Sequence, residues 1–372
     1  MNRRVLVGMS GGVDSSVAAA LLARAGHDVI GVSLQLYDHS RGGRATRCCS
    51  PEDFLDARRV AAAFGFPYYV LNQEELFSRR VLDYFVEEYR SGRTPNPCAR
   101  CNADVKFTAL ARLAVELGAE VLATGHYARL EAAGPGGGRR LLRARDLRRD
   151  QSYFLFDVEE DLLERASFPL GALTKEEVRA EARAMGLACA AKPDSQDICF
   201  VEGSDYREFL AQRTAGLPAE RSGAIVDRSG GVLGRHDGVS GFTVGQRRGA
   251  GVAAGRRLYV VEVDAPSGRV VMGERGDLLC GGLILSSVRL RAPAGGAASF
   301  DATVQVRYRH AGVPARIHMQ EEGTARVELL EPVAGVSPGQ AAVFYKGEEV
   351  LGGGWIARSL PAAVPPRALG AA

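Results

Sequence analysis

The 372-residue sequence lacks long hydrophobic runs and a strong net charge, and it has few cysteines for its length. No window approaches the roughly 18 consecutive apolar residues of a transmembrane helix, so membrane-spanning proteins are excluded. The apolar run at residues 5–7 is too short for the hydrophobic region of a signal peptide. We therefore expect a soluble, cytoplasmic protein with no membrane partner.

The charge balance is nearly even, since Lys and Arg (47) exceed Asp and Glu (44) by only three. Such a balance neither requires nor excludes a nucleic acid partner, because the clustering of basic residues matters more than their total. Hydrophobic residues make up 46% and charged residues 24%, ordinary globular proportions that exclude a disordered, fibrous or collagen-like chain. The length predicts two or three domains.

The seven cysteines are an odd number and are unevenly spread. A chain of this length does not need disulfide bonds to hold its core, so we expect a reduced protein whose cysteines are buried or chemically active. Cys189 and Cys280 lie among small residues and are predicted to be structural. The sequence assigns no role to Cys48 and Cys49.

Short apolar runs alternate with helical patterns over the first two hundred residues. This alternation predicts a parallel sheet covered by helices, an α/β domain whose ligands bind beyond the carboxyl ends of the strands. The predicted strands are Val5–Gly8, Val29–Leu34, Tyr68–Leu71 and Val121–Thr124. The predicted helices are Ser15–Ala25, Glu52–Phe64, Leu76–Tyr89 and Phe107–Leu117.

The character of the sequence changes near Gly216, where glycine becomes frequent and short alternating segments replace long helices. From Leu283 the pattern is that of evenly spaced short strands, which predicts a small barrel or sandwich. The predicted domains are therefore 1–210 (the α/β catalytic domain), 211–282 (a small central domain) and 283–358 (the β-domain), followed by a flexible tail at 359–372.

A glycine-rich turn, residues 10–16, follows the first strand and opens the first helix. Glycines let the backbone approach a ligand, Ser15 is placed to cap the helix, and exposed amides at a helix start favour phosphate. No Gly-Lys-Ser/Thr follows, so this is not a Walker loop; the alternative is an ordinary strand–turn–helix connection. The Ser-Gly-Gly-x-Asp-Ser pattern resembles the pyrophosphate (PP) loop of ATP pyrophosphatases, which split ATP to AMP and pyrophosphate.

Two thiols, Cys98 and Cys101, are three residues apart in a segment that we predict to be a proline-stiffened loop before the helix at Phe107. The nearby Arg93 and Arg100 would lower a thiol pKa and produce a usable nucleophile. There are three alternatives: a zinc knuckle, a redox pair and simple packing. A zinc knuckle usually has a second Cys-x-x-Cys pair, which this sequence lacks.

Cys199 follows a second proline-containing loop. A lone cysteine in such a position is more often buried than catalytic. Because the same chain also has a nucleotide loop and a reactive thiol, we predict that Cys199 is the second chemically active cysteine.

Together these motifs resemble the tRNA-specific 2-thiouridylases, which replace the 2-oxygen of the wobble uridine with sulfur. The matching segments occur in order over nearly the whole chain, which makes the resemblance specific. They are 8–15, 94–102, 123–127, 149–155, 195–200, 245–249 and 337–345.

The resemblance implies an N-terminal PP-loop domain, a C-terminal β-barrel that binds tRNA, and ATP with Mg²⁺ as cofactors. The implied persulfide carrier is Cys199 and the implied nucleophile is Cys101, which would later form a disulfide with Cys199. Such a bond requires Cα atoms roughly 4.4–6.8 Å apart. The implied ATP-binding residues are Gly8, Met9, Ser10, Gly11, Gly12, Val13, Asp14, Ser15, Leu34 and Gly125.

The resemblance also implies tRNA contacts and a sulfur-relay donor protein or cysteine desulfurase as partner, and we expect a monomer. For His126 a structural role at a strand end is an equal alternative. A solvated loop is the default interpretation of the basic run Arg139–Arg149, but a surface that follows RNA phosphates explains it better here. The residues implied for the target base are Asn96, Pro97 and Cys98. Those implied for tRNA are His126, Arg149, Asp150, Gln151, Arg307, Tyr308, Arg309 and Gln340.

Some family members carry an acidic residue where this chain has Cys98, so a role for Cys98 in proton transfer does not follow. Cys98, Cys101 and Cys199 form a three-thiol set that an iron–sulfur cluster could use, and this mechanism is one alternative. We favour the persulfide and predict no protein-bound metal, because two cysteines suffice as nucleophile and carrier. Another ATP pyrophosphatase without sulfur chemistry and a non-catalytic RNA-binding protein are the remaining alternatives.

Overall fold

The computed structural model describes residues 2–37, 50–134, 138–193, 198–201, 205–252, 254–291, 298–321 and 323–362. Cys48, Cys49 and residues 195–197 of the matching segment 195–200 lie outside the described residues. Contacts divide the chain into two compact units. The first comprises Met1–Leu82, Pro97–Tyr206 and Glu348–Val350, and the second comprises Asp83–Asn96, Arg207–Gly347 and Leu351–Ala372.

The elements of the described residues are numbered in chain order. The helices are α1 Val13–Arg24, α2 Pro51–Phe64, α3 Glu74–Phe77, α4 Asp83–Arg90, α5 Pro97–Arg100, α6 Phe107–Glu116, α7 Glu160–Glu164, α8 Lys175–Ala184 and α9 Tyr206–Thr214. The strands are β1 Arg4–Gly8, β2 Asp28–Gln35, β3 Tyr68–Asn72, β4 Val121–Thr124, β5 Ala128–Ala132, β6 Arg139–Arg143, β7 Ala166–Ser167, β8 Gly223–Asp227, β9 Val232–His236, β10 Tyr259–Asp264, β11 Arg269–Gly273, β12 Leu279–Leu290, β13 Ser299–Gln305, β14 Val313–Met319, β15 Ala325–Ala334, β16 Ala341–Lys346 and β17 Glu349–Pro361.

The first unit is built on a parallel sheet with the strand order β3-β2-β1-β4-β7. The central strands β1 and β2 are buried along almost their whole length, because helices cover both faces of the sheet. Helix α1 contributes a nearly continuous buried stretch from Val13 to Ala20 to the same core. The carboxyl ends of β1, β2 and β4 therefore meet at one edge.

The second unit contains two β-structures. A four-stranded sheet has the order β10-β11-β8-β9. Six antiparallel strands in the order β12-β15-β14-β13-β16-β17 close into a barrel through the pairing of β12 with β17. Inward-facing residues of the barrel, such as Leu283, Ile317 and Phe344, form its core.

The predicted fold class is confirmed: a parallel-sheet α/β domain precedes a small middle domain and a C-terminal β-barrel. Three local features differ from the prediction. The β5–β6 hairpin was not predicted, Pro97 begins a helix where a loop was expected, and β17 extends to Pro361 into the predicted tail. Residues 363–372 of the predicted tail lie outside the described part. The predicted domain boundaries at 210 and 282 stay predictions. None of the described helices is long and apolar enough to cross a lipid bilayer.

Candidate functional site

The glycine-rich loop lies between β1 and α1 and is fastened to the neighbouring strand β2. The Met9 amide donates to the Val32 carbonyl at 2.7 Å, and the Ser33 hydroxyl donates to the Met9 carbonyl at 2.7 Å. Gly11 has φ +70°, and a Cβ at this position would lie 2.3 Å from the Asp53 carbonyl oxygen. The loop therefore needs glycine at position 11 for both conformation and space.

The prediction that Ser15 caps α1 is wrong. Gly12 is the residue at the N-cap, and it has no side chain to bond the first-turn amides. The Ser15 hydroxyl instead accepts from the Ser10 amide at 3.0 Å and donates to the Gly12 carbonyl at 3.3 Å, which fixes the loop from inside. A helix start that carries no side-chain cap is the arrangement that favours an anionic group.

Two further residues implied for ATP lie at the same sheet edge. Leu34 is buried near the end of β2, and Gly125 follows β4 directly. A Cβ on Gly125 would lie 2.7 Å from the Ser15 amide nitrogen, so only glycine allows β4 to end so close to α1. The structure thus brings the loop, Leu34 and Gly125 to one edge, as parallel-sheet topology predicts.

Sequence reasoning missed the buried cation beside this loop. The Lys175 ammonium donates to both carboxylate oxygens of Asp14, at 2.7 and 2.8 Å, and the Tyr127 hydroxyl donates to the same carboxylate at 2.8 Å. Lys175 is 5% exposed and opens α8 after the capping residue Thr174. Its signal in the sequence was the capping box that starts at Thr174, which places the first residue of α8 but not its partner.

A second lysine also reaches the loop. The Lys192 ammonium donates to the Gly11 carbonyl at 3.2 Å, to Asp53 at 2.6 Å and to Asp56 at 3.0 Å. Burial alone would lower the pKa of Lys192, but the hydrogen bonds to the two carboxylates raise it above its ordinary value. Lys192 therefore remains a cation across the neutral pH range.

The segment with Cys98 and Cys101 is helical, which corrects the predicted loop. Pro97 begins α5, the π-helical segment Cys101–Lys106 continues it, and α6 follows without a break. A proline in the first turn is favourable because its missing amide has no helical partner there. Asn96 and Pro97 are buried, Cys98 is exposed and Cys101 is buried, so the two thiols face different surroundings.

The two arginines expected to activate these thiols are engaged elsewhere. Arg93 forms bidentate hydrogen bonds with Glu88, which raise the pKa of Arg93. Arg100 lies 3.7 Å from Asp157 and 3.9 Å from Asp104. Their positive charge is therefore largely compensated by carboxylates.

Cys199 is half-buried, and the next residue anchors it in the first unit. The ring of Phe200 packs edge-on against Phe77 at a centroid distance of 5.8 Å. Phe77 ends α3, and α3 together with the π-helical segment Ser78–Leu82 contacts the segment that begins with Cys101. The two cysteine-bearing segments thus flank the same helical stretch.

The described residues contain no cluster of three or more His, Cys, Asp or Glu side chains that could hold a metal ion. Cys98, Cys101 and Cys199 all belong to the described part.

His126 lies in an aromatic cage directly after β4. Its ring stacks on Phe107 and meets Phe168 edge-on, both at 6.0 Å, and its Nδ1 pairs with the Thr124 hydroxyl at 2.8 Å. Burial, assisted by the charge of Lys106, lowers the pKa of His126 to about 3. The imidazole is therefore neutral, and a contact with tRNA stays a prediction.

The Arg149-Asp150-Gln151 segment is tightly built into the first unit. The buried Asp150 carboxylate binds Arg143 at 2.8 Å and accepts from the Ser152 amide and hydroxyl. Gln151 makes two hydrogen bonds to the backbone of Tyr127, both 2.8 Å long. Asp150 and Gln151 thus have structural partners, and Arg149 and Gln151 are both half-buried. Direct tRNA contact by these residues stays a prediction.

Most of the basic run Arg139–Arg149 is paired within the protein. Arg140 contacts Glu131 and Glu349, Arg143 contacts Asp150, and Arg145 contacts Glu177. The run forms β6 and the following turns rather than an open basic loop.

The barrel residues implied for tRNA fall into two environments. Arg307 and Arg309 are exposed in the turn after β13, and the Arg309 guanidinium lies 5.4 Å from the centre of the Tyr308 ring. Gln340 instead turns inward within the second unit: its amide donates to the carbonyls of Thr94 and Pro95 at 3.1 and 2.9 Å.

Comparison with known proteins covers nearly the whole chain. Three family profiles match, described as tRNA methyl transferase HUP domain (residues 3–203), tRNA methyl transferase PRC-barrel domain (207–274) and Aminomethyltransferase beta-barrel domain (281–356). The tRNA-specific 2-thiouridylase MnmA of Geobacter metallireducens is 51% identical over 95% of this chain and 96% of its own. The proteins of the same name from Rhodospirillum centenum and Acidithiobacillus ferrooxidans are 49% and 46% identical; they align over 96% and 95% of this chain and 92% and 98% of their own.

The chain belongs to the tRNA-specific 2-thiouridylase family. It is accordingly an enzyme of the tRNA-uridine 2-sulfurtransferase class. Two solved structures are more distantly similar to this family member. The NMN synthetase of Francisella tularensis is 16% identical with a TM-score of 0.33, covering 57% of this chain and 77% of that one. A 4-thiouridine synthetase–RNA complex with bound ATP is 19% identical with a TM-score of 0.35, covering 58% and 51%.

Proposed function

We propose that this enzyme uses ATP to replace the 2-oxygen of the wobble uridine, position 34 of tRNA, with sulfur. The observation that carries the proposal is that one unit contains both the phosphate-type loop and the two thiol-bearing segments. A phosphate-type loop lies at the sheet edge of a unit whose two thiol-bearing segments, at Cys101 and Cys199, flank one helical stretch.

ATP binds, in this proposal, with its phosphates at the start of α1 and its remaining groups near Leu34 and Gly125. Asp14 is the carboxylate suited to a Mg²⁺ ion that travels with ATP, since such ions are held by one or two carboxylates plus phosphates. Mg²⁺ would neutralise phosphate charge as the bond to pyrophosphate breaks. Lys175 holds Asp14 in place and supplies a buried positive charge beside the loop.

The sulfur chemistry requires both thiols. Adenylation of the uridine 2-oxygen releases pyrophosphate and makes AMP the leaving group. The terminal sulfur of a persulfide on Cys199 attacks C2, and AMP departs with the former 2-oxygen. The Cys101 thiolate then attacks the Cys199 sulfur, which leaves the transferred sulfur on the base and produces a Cys101–Cys199 disulfide. An external thiol reductant restores the enzyme.

The target uridine must leave its stack to react, and Asn96, Pro97 and Cys98 form the proposed contact for the flipped base. The proposed tRNA contacts include the exposed Arg307 and Arg309 and the half-buried Arg149 and Tyr308. The proposal includes a sulfur-relay donor protein or cysteine desulfurase as partner, and a monomeric enzyme acting in the cytoplasm.

The experiment incubates the full chain with unmodified tRNA, Mg-ATP, a cysteine desulfurase with cysteine as the persulfide source, and a thiol reductant, then analyses the nucleosides by mass spectrometry. We expect 2-thiouridine together with AMP and pyrophosphate. Cys101→Ala and Cys199→Ala should each lose at least about 10³-fold in rate, because each removes a covalent participant. Cys189→Ala removes a buried thiol of the same unit and should keep the activity.

Three results would contradict the proposal. Formation of a methylated uridine would assign the enzyme to the chemistry named by the family profiles. Pyrophosphate release that forms no 2-thiouridine and is retained in both thiol variants would indicate an ATP pyrophosphatase without sulfur chemistry. Binding of tRNA with no pyrophosphate release would leave only an RNA-binding protein.

A further inference from the structure

Cys98 and Cys101 are separated by one helical turn in the first unit. Cys98 belongs to α5, and Cys101 begins the π-helical segment that follows without a break. The distance between their Cα atoms depends on the backbone of Ala99, which lies within α5, and of Arg100, which has φ −59° and ψ −44°. Both residues are right-handed helical, and this geometry places Cα atoms three residues apart at about 5 Å. A disulfide bond accepts Cα–Cα distances of roughly 4.4–6.8 Å, so this pair is within bonding range.

The three cysteines of the proposed site differ in their exposure to solvent. Cys101 is 5% exposed, Cys199 is half-buried and Cys98 is exposed. A Cys101–Cys199 disulfide, which the proposed reaction leaves behind, would therefore join a buried residue to a half-buried one. Thiol–disulfide exchange requires that the attacking thiolate reaches one of the two sulfurs. A protein reductant therefore reaches Cys98 more easily than either of the other two thiols.

We propose that Cys98 is a resolving thiol, which moves the disulfide left by sulfur transfer from the interior of the first unit to its surface. The Cys98 thiolate attacks the Cys101 sulfur, a Cys98–Cys101 bond forms, and Cys199 leaves as a thiolate. Cys98 gives its proton to solvent before the attack, and the Cys199 thiolate takes one up afterwards. This exchange therefore consumes no electrons and makes Cys199 ready for the next persulfide.

An external dithiol supplies the two electrons that the cycle needs. Its first thiolate attacks the exposed Cys98 sulfur, and Cys101 leaves as a thiolate. Its second thiol then attacks the mixed disulfide, which releases Cys98 and leaves the reductant as a disulfide.

This inference rests on the proposed function, because the proposed reaction produces the Cys101–Cys199 bond. It also implies an order of events. Cys98 belongs to the proposed contact for the flipped base, so the exchange follows the departure of the thiolated base.

The first test maps the disulfide after a single turnover of the full chain that carries Cys189→Ala. The enzyme is loaded with persulfide by a cysteine desulfurase and cysteine, freed of reductant, and mixed with tRNA and Mg-ATP. N-ethylmaleimide then blocks the free thiols. Trypsin cuts after Arg93, Arg100 and Lys106, so Cys98 and Cys101 fall in separate peptides, and Cys189→Ala leaves Cys199 alone in its own. We expect the Cys98–Cys101 pair as the main linked product, and the Cys101–Cys199 pair when Cys98→Ser is added.

The second test measures multiple turnover with a limiting protein dithiol, reduced thioredoxin, and with saturating dithiothreitol. A thiol one helical turn away has an effective concentration of about 1 mM or more, so against about 0.1 mM thioredoxin the Cys98→Ser enzyme should be about ten-fold slower. Saturating dithiothreitol should remove most of this deficit. The ratio of the two rates is compared, because Cys98 also belongs to the proposed base contact and its loss changes both rates. Cys189→Ala, which removes a buried thiol of the same unit, should keep the wild-type ratio.

Two results would overturn the inference. One is a Cys101–Cys199 bond as the main product while Cys98 is intact and alkylated. The other is a deficit of Cys98→Ser that is equal with limiting and saturating dithiol, because Cys98 would then act only on the base. If Cys98→Ser does not fold, the map of the enzyme with Cys98 intact decides alone.

Formation of 2-thiouridine is measured in the same reactions. Thiolation without a Cys98–Cys101 bond would refute only the role of Cys98. Oxidation by diamide in the absence of tRNA tests the pairing of Cys98 with Cys101 independently of turnover. A Cys98–Cys101 bond under diamide, together with no thiolation, would refute only the proposed function.

Discussion

His126 lies among aromatic rings that its position in the sequence does not reveal. It follows a strand at the functional edge of the sheet, where an exposed imidazole would suit RNA. Its ring lies instead between Phe107 and Phe168. The sequence could place His126 at the strand end but could not show that two distant aromatic residues cover it.

The half-buried imidazole of His126, packed against two aromatic rings, makes stability depend on pH. Because the pKa of His126 falls from 6.5 to about 3 on folding, the unfolded chain binds more protons between these values. This contribution is complete above pH 6.5 and is lost as the pH falls toward 3. Lowering the pH from about 7.5 to about 5 should cost about 2 kcal/mol at this site.

Urea denaturation of the wild type and His126→Gln at both pH values measures this loss. The variant should show a smaller decrease in unfolding free energy on acidification. His27→Gln, on the turn before β2, controls for the general titration of the protein and should keep the wild-type pH dependence. Equal pH dependence in wild type and His126→Gln would contradict the assignment.

At the scale of elements, the helix that carries the thiols is the main departure from expectation. Two prolines and several polar residues between 93 and 102 predicted a loop, yet only Pro97 enters the helix, at its first turn. Two π-helical segments, Ser78–Leu82 and Cys101–Lys106, lie against each other in this region. Such segments often occur at functional sites, and their extra residue per turn leaves no periodic signature in a sequence.

Gln340 holds the chain segment that leads into this helix. Its amide binds the carbonyls of Thr94 and Pro95, and the Thr94 amide donates to Pro338 at 2.7 Å. Gln340→Ala removes two hydrogen bonds and should destabilise this segment by about 1–2 kcal/mol. Hydrogen exchange of a peptide spanning residues 93–98 should accelerate roughly ten-fold without tRNA present.

The matched control is Gln246→Ala, because the Gln246 side chain donates to the Arg248 carbonyl and accepts from the Thr243 amide, both close to it in the chain. Exchange at residues 93–98 should remain at the wild-type rate in this variant. An unchanged rate in Gln340→Ala would show that the side chain acts on tRNA alone.

At the scale of the whole molecule, the basic residues that remain unneutralised are not those that are densest in the sequence. The densest basic run is largely neutralised by carboxylates of the first unit, whereas the sparser Arg307 and Arg309 are exposed on the second. If Arg309 contacts a phosphate, Arg309→Asn should reduce the slope of log binding constant against log salt by about one unit. Asparagine suits this position because Arg309 has φ +63°.

Fluorescence anisotropy with labelled tRNA over a range of salt concentrations measures this slope. Arg145→Asn is the control, because Arg145 is paired with Glu177 and should leave the slope nearly unchanged. A larger decrease of the slope in Arg145→Asn than in Arg309→Asn would instead assign the tRNA contact to the basic run.

The sequence predicted the strand–helix alternation, the sheet edge of the loop and the barrel, because each follows from local periodicity and spacing. It could not predict Lys175 beside Asp14, 161 residues away, or Lys192 beside Gly11, 181 residues away. Nor could it show that Arg143 faces Asp150 rather than solvent. These are tertiary contacts of single side chains, and only the folded chain brings them together.

The pairing of β12 with β17 also determines when the barrel of the second unit can finish folding. Cys280 and Pro361, at the two ends of the barrel sequence, are partners across one seam. A nascent chain therefore cannot complete this domain until its final strand has left the ribosome exit tunnel. Until then, β12 presents an unsatisfied edge to chaperones and to neighbouring nascent chains.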